Sequence, residues 1–183
     1  MSEAERKYPY AEARQIAGRY LDLLLPCFQR LEIAGSLRRR KSEVGDIELV
    51  GIPRMTGGLF GNSPAYIPPM GRVLKDGERY KQYLLAEGMK LDLFIILPPA
   101  EWGVIFTIRT GGERFSKMVV TQRNKGGWLP SDMAVRDGAL WRGSWEKDIY
   151  GVEQFKPGEF IRTPEEADFF REIGLKWVAP PNR

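Results

Sequence analysis

The chain has 183 residues, a length that suits one domain or one domain with a small appended lobe. Hydrophobic residues make up 43% of it, with five Trp and nine Phe, so it carries material for a real core and is not a disordered chain. A net charge of +4 and a pI of about 9.2 suit a polyanionic partner; zero histidines exclude an imidazole base or His metal ligand, and one cysteine excludes an internal disulfide or a Cys-based zinc site.

In chain order, Tyr10 to Leu25 reads as a helix, with an apolar stripe through Ala13, Ile16, Ala17, Tyr20, Leu21 and Leu24. Pro26 stops it, and Cys27 behind it reads as a small core residue. Leu31 to Ala34 is a short strand running into a turn at Gly35-Ser36, followed by the basic run Arg38 to Lys41. Asp46 to Ile52 alternates as a strand. Residues 53 to 72, rich in proline and glycine, are expected to form a long surface loop or irregular flap. Leu91 to Leu97 is the strongest strand signal, with Asp92 its only polar residue.

Beyond Pro98-Pro99, helices are predicted over Glu101–Ile108 and Glu113–Lys125, separated by Thr110-Gly111-Gly112. Short strands are expected around Met133–Val135 and Ala139–Trp141, with turns at Gly138 and Gly143. Thr163-Pro164-Glu165-Glu166 has the form of a helix start with Thr163 at the N-cap, and Gly174 the form of its stop. Trp128 reads as core rather than as a stacking platform for a base. No run approaches the roughly 18 apolar residues of a membrane span, and Met1 to Arg6 lacks the apolar core of a signal peptide. The expectation is a soluble, intracellular (cytoplasmic) and monomeric protein.

The chemistry concentrates in a few carboxylates. In a strand, residues two apart share a face, so Asp46 and Glu48 project side by side while Ile47 and Leu49 face the core. Asp92 interrupts a wholly apolar strand, and a carboxylate there is costly unless paired or liganded. If the two strands are neighbours, three carboxylates share one patch, a donor set suited to magnesium and phosphate oxygens. Gly35 lets a backbone approach a phosphate, Ser36 adds a hydroxyl donor, and Arg38 and Arg39 follow within reach. Each feature is weak alone. Their order carries the signal.

Ala34-Gly35-Ser36-Leu37-Arg38-Arg39, followed by Val44-Gly45-Asp46-Ile47-Glu48-Leu49, resembles the palm signature of the DNA polymerase X family, that of polymerase beta. Leu91-Asp92-Leu93 resembles the strand bearing that family's third catalytic aspartate, and Thr110-Gly111-Gly112-Glu113-Arg114-Phe115-Ser116 its Thr-Gly-Ser motif and following helix. The likeness runs from about residue 30 to the end and is weakest from 53 to 85. It implies an α+β fold: a nucleotidyltransferase palm over 1–105 and a small C-terminal lobe over 106–183. It further implies two magnesium ions (manganese as substitute) on Asp46, Glu48 and Asp92, and a nucleoside triphosphate held by Gly35, Ser36, Arg39 and Gly45. Thr110, Gly111 and Gly112 would line the sugar pocket, and Ser116 would lie beside the incoming base. DNA phosphates would meet Arg38, Arg40, Lys41, Lys117, Arg123 and Lys125.

Five positions depart from that pattern. Glu48 stands where an aspartate is usual, Ile108-Arg109 where an aromatic pair is usual, Gly112 for a serine and Ser116 for an asparagine. The expected activity is template-directed addition of deoxynucleotides to a primer, as in short-gap repair. Two alternatives stay open: template-independent nucleotidyl transfer to RNA, protein or a small molecule, and a nucleic-acid-binding module on a catalytically degenerate palm.

Overall fold

The protein is described by a computed structural model covering residues 6–58 and 61–183; residues 1–5, and Leu59 and Phe60 of the expected flap, lie outside the described residues. In chain order its elements are β1 (Tyr8–Pro9), α1 (Tyr10–Leu24), β2 (Phe28–Ile33), α2 (Gly35–Arg38), β3 (Glu43–Val44), β4 (Asp46–Pro53), β5 (Met55–Gly58), β6 (Gly61–Pro64), β7 (Arg72–Asp76), β8 (Tyr80–Leu84) and β9 (Lys90–Ile95). There follow α3 (Trp102–Thr110), α4 (Glu113–Val120), β10 (Met133–Arg136), β11 (Ala139–Lys147), β12 (Glu153–Ile161) and α5 (Glu166–Glu172). The fold class is α+β, as expected.

The chain divides into two compact units, residues 1–97 with 180–182, and residues 98–179 with 183. The division falls at Leu97/Pro98, earlier than the boundary after residue 105 that was expected. The reason is α3: its Val104 belongs to the core that also holds Phe115 of α4 and Phe169 and Phe170 of α5.

The first unit is built on a five-stranded sheet in the order β2-β4-β9-β8-β7. β4 and β9 are parallel, and the other neighbours antiparallel. Alternation sorts the two central strands by face: Ile47, Leu49, Leu91 and Leu93 are fully buried. Each contributes about 1.5–3 kcal/mol by leaving water. Against them packs α1, whose Ala13, Ile16, Ala17 and Leu24 recur at helical spacing and are buried. Leu25–Cys27 tightens into a 3-10 turn at Pro26, ending α1 where expected, and the half-buried Cys27 packs against the same core.

The second unit pairs β10, β11 and β12 into an antiparallel sheet packed with α3, α4 and α5. Gly143 is not at a turn but inside β11, at the bulge where the register to β12 shifts. Strand β12 was unread in the sequence because Pro157-Gly158 signals a turn; the bulge at Arg142/Gly143 is what lets the pair continue through it. Trp128 is half-buried, edge-on to Phe115 at 5.3 Å, which agrees with a core role.

Three further expectations need correction. Gly35-Ser36 is not a simple turn but opens the one-turn helix α2. Part of the expected flap is ordered as the hairpin β5–β6. The cap of α5 is Glu165, whose carboxylate and that of Asp168 form a reciprocal capping box. Thr163 is buried instead, its N–H and hydroxyl both donating to the Glu101 carboxylate. Gly174 ends α5 in the left-handed region at φ 71°, as expected.

Candidate active site

The parallel register of β4 and β9 decides the site. Glu48 lies directly beside Asp92, and Asp46 directly beside Lys90. Gln82 of β8 is opposite Asp92 on the other side. Paired residues on neighbouring strands share a face, so Glu48, Asp92 and Gln82 form one row across three strands. Asp46 stands one pleat away on the same face of β4. The condition set by the sequence, that the two carboxylate strands be neighbours, is met.

Asp92 is 9% exposed. Its Oδ1 accepts hydrogen bonds from the Tyr80 hydroxyl and from Gln82 Nε2, both at 2.8 Å. Both donors are neutral, and among the described residues no ion pair to Asp92 is formed. Two such bonds orient the carboxylate and lower the cost of burying it.

Glu48 is positioned by the other end of the motif. β2 stays bonded to β4 through the Ala34 N–H to the Glu48 carbonyl, 2.8 Å, and the chain then turns at Gly35 with φ 59°. A Cβ on Gly35 would overlap the Glu48 carboxylate, so glycine is required twice, for its backbone angle and for this close approach. One residue on, the Ser36 hydroxyl oxygen is buried and without a hydrogen-bond partner among the described residues. α2 closes with the Arg38 N–H on the Ala34 carbonyl and the Arg39 N–H on the Gly35 carbonyl, each 3.1 Å. Arg38 and Arg39 are both half-buried beside the turn.

Asp46 and Gly45 line a cleft of about 270 Å³ together with Gln82, Lys90, Gly88 and Arg6. A Cβ on Gly45 would meet nothing, so the wall there is open rather than packed. Among the described residues no three or more His, Cys, Asp or Glu side chains gather into a closed metal-holding cluster. Asp92 Oδ1 is turned toward β8, Glu48 lies against Gly35, and Asp46 is registered with a lysine. The donors nonetheless fit a hard divalent ion: carboxylate oxygens on one sheet face, one of them buried without a cation.

In the second unit, Thr110 is fully buried at the end of α3, and Gly112 caps α4. Gly111 packs so closely on Ser116 and Phe115 that a Cβ would clash with both. The Ser116 hydroxyl donates to the Ile108 carbonyl at 2.6 Å, bracing the α3–α4 corner. Of the cations assigned to DNA, Arg40, Lys41, Lys117, Arg123 and Lys125 are exposed and Arg38 is half-buried. Arg123 is engaged in the fold: it donates to the Ile173 carbonyl at 2.7 Å and the Trp128 carbonyl at 3.1 Å. Lys125 lies 3.4 Å from Glu153 and over the Trp145 ring at 4.5 Å.

Sequence reasoning missed Tyr80 and Gln82, the orienting partners of Asp92. Their only signal is an i, i+2 spacing in a short polar strand, which says nothing of what lies opposite. No helix among the described residues is long and apolar enough to cross a membrane. No protein-family model matches the chain, and no curated protein matches it with significance.

Proposed function

We propose that the chain is a metal-dependent nucleotidyltransferase, most simply a minimal DNA polymerase of the X type that adds a deoxynucleotide to a primer 3′-hydroxyl. One observation carries the reading: Glu48 and Asp92 stand side by side in parallel register, next to a left-handed Gly35 and an orphaned Ser36 hydroxyl. The resemblance of Gly35-Ser36-Leu37-Arg38-Arg39 and Gly45-Asp46-Ile47-Glu48 to the polymerase X palm supports the same assignment.

In this reading Asp46, Glu48 and Asp92 would hold two magnesium ions, with manganese as a substitute. When bound, such ions supply charge neutralisation at the transferring phosphoryl group and favour the ionised attacking hydroxyl. The chain's own residues do the rest. Tyr80 and Gln82 fix the Asp92 carboxylate, so that no reorganisation is needed at the moment of transfer. Glycine at position 35 leaves room for the Glu48 carboxylate at the turn, and Ser36 donates its hydroxyl to a phosphate oxygen. Arg39 contributes a planar fork suited to the triphosphate. Exposed Arg40, Lys41 and Lys117 supply sequence-independent attraction for the DNA backbone.

The test is primer extension in magnesium, with and without a template, comparing deoxy- and ribonucleoside triphosphates. Template-directed deoxynucleotide addition is the expected result. Extension that ignores the template would move the protein to template-independent transfer. DNA binding without incorporation in magnesium or manganese would make it a binding module.

A further inference from the structure

A cavity of about 370 Å³ lies on the opposite face of the first unit's sheet and shares no lining residue with the Asp46 cleft. Tyr83 of β8 is paired with Val73 of β7 and Leu91 of β9, and Lys81 with Leu93, so these side chains point away from the Gln82–Asp92 row. Residues 64–69 stand over Val73, Lys81 and Tyr83 and close the cavity. That segment is pinned by the Ala65 N–H on the Arg54 carbonyl, 2.7 Å, and by the buried Ile67. Pro64 and Pro69 fix its backbone, which makes it a stiff wall. Pockets for small molecules run from about 300 to 1,000 Å³, so this one has the size of a binding site.

Its polar groups are unequally satisfied. Lys81 and Asp76 are bonded to each other. Glu78 is exposed and forms no ion pair or hydrogen bond with a described residue. One negative charge is thus left unbalanced in the lining of a chain whose net charge is +4. Tyr83 is 2% exposed, and its hydroxyl has no hydrogen-bond partner among the described residues. Burial first, then the charges of Asp76 and Tyr66, raises its phenol above the ordinary value, which puts the hydroxyl within reach of those two cavity residues. A phenol oxygen can accept a hydrogen bond, and the exposed ring of Tyr66 offers a face that attracts a cation. The rest of the lining, with Ile67, Val73 and Ile95, is apolar. The complement of such a cavity is a positive, hydrogen-donating head on an apolar body.

We propose that this cavity binds a small organic amine, its ammonium on the Glu78 carboxylate and the Tyr83 hydroxyl and its apolar body between residues 64–69 and the sheet. An anion is disfavoured there, because Lys81 is already neutralised by Asp76 and Glu78 repels it. The site is independent of the carboxylate chemistry on β4 and β9 and needs no metal.

The test is a ligand-observed NMR titration at neutral pH and fixed ionic strength. Three probes share one apolar body: phenethylamine, phenethyl alcohol and hydrocinnamate, with a cationic, a neutral and an anionic head. Phenethylamine should bind about tenfold tighter than the alcohol, and hydrocinnamate most weakly. Glu78→Gln, at an exposed position without an ion pair, should bring the amine down to the affinity of the alcohol with the melting temperature unchanged. Tyr83→Phe should weaken the amine by about threefold to tenfold. Val73→Trp fills the cavity from its rim and should block all three probes. Equal affinity for amine and alcohol overturns the proposal, as does tighter binding of hydrocinnamate or no binding of any probe. So does an amine preference that survives Glu78→Gln or Val73→Trp. None of these readouts involves nucleotide incorporation, so they stand or fall apart from it.

Discussion

Each unit of the protein buries a carboxylate, and the two are treated in opposite ways. Glu166 of the second unit is 6% exposed and meets a guanidinium, Arg183 Nη1 at 2.5 Å, with the Thr107 hydroxyl at 3.4 Å. That arginine's side chain is fully buried among Phe170, Trp177 and Phe115, whose ring centres lie 5.0, 5.5 and 5.8 Å from its central carbon, and its Nε donates to the Val178 carbonyl at 2.7 Å. Asp92 of the first unit, 9% exposed, meets a phenol and an amide and no cation among the described residues. A carboxylate closed by an arginine is complete and holds structure together. One oriented by a phenol and an amide has no guanidinium against it among the described residues. Burial alone therefore does not separate the two carboxylates; the charge of their partners does.

The largest effect should come from removing the Asp92 charge. Asp92→Asn is expected to lower nucleotide incorporation by at least about 10²-fold, the loss of several kcal/mol of charge stabilisation. Its unfolding midpoint should stay close to wild type, because the side chain keeps its size and an oxygen to accept from Tyr80 and Gln82. A variant that unfolds early yet retains activity would place Asp92 with Glu166 as a structural group.

Glu166→Gln is the mirror experiment. It should cost about 3–5 kcal/mol in denaturant unfolding, since it removes the charge that faces the buried Arg183 guanidinium. An unchanged midpoint would show that the aromatic rings alone hold Arg183.

Gly35→Ala is next. A left-handed alanine costs about 1–2 kcal/mol, and the added methyl must also displace the Glu48 carboxylate. Activity should fall with stability. By contrast Gly45→Ala, which meets nothing, should leave stability unchanged within about 0.5 kcal/mol.

The smallest effect is a pH dependence on the buried side of the same sheet. Burial, with help from the Asp76 charge, raises the Tyr83 phenol above its ordinary value near 10. The folded state then keeps the proton to higher pH than the unfolded one. Its contribution is present in full below about pH 10 and is lost as pH rises through the elevated folded value. Tyr83→Phe should flatten the alkaline limb of a stability-against-pH curve, and an unaltered limb would show that Tyr83 does not titrate in that range.

Much of this was legible in the residues because it rests on local rules. The spacing of Ala13, Ile16, Ala17 and Leu24 determined α1, and Pro26 its end. Alternation placed Asp46 and Glu48 on one face of a strand and Ile47 and Leu49 on the other. Asp92 stood out because a lone carboxylate among six apolar residues demands a reason. What only the tertiary structure decided is who stands beside whom across strands. Register set Glu48 against Asp92 and Asp46 against Lys90, and it brought Gln82 and Tyr80, whose own segment carries no chemical signal, onto the Asp92 carboxylate. The same holds for Arg183 and Glu166. Strand pairing and packing are non-local, and no periodicity within a segment encodes the neighbour on the next one.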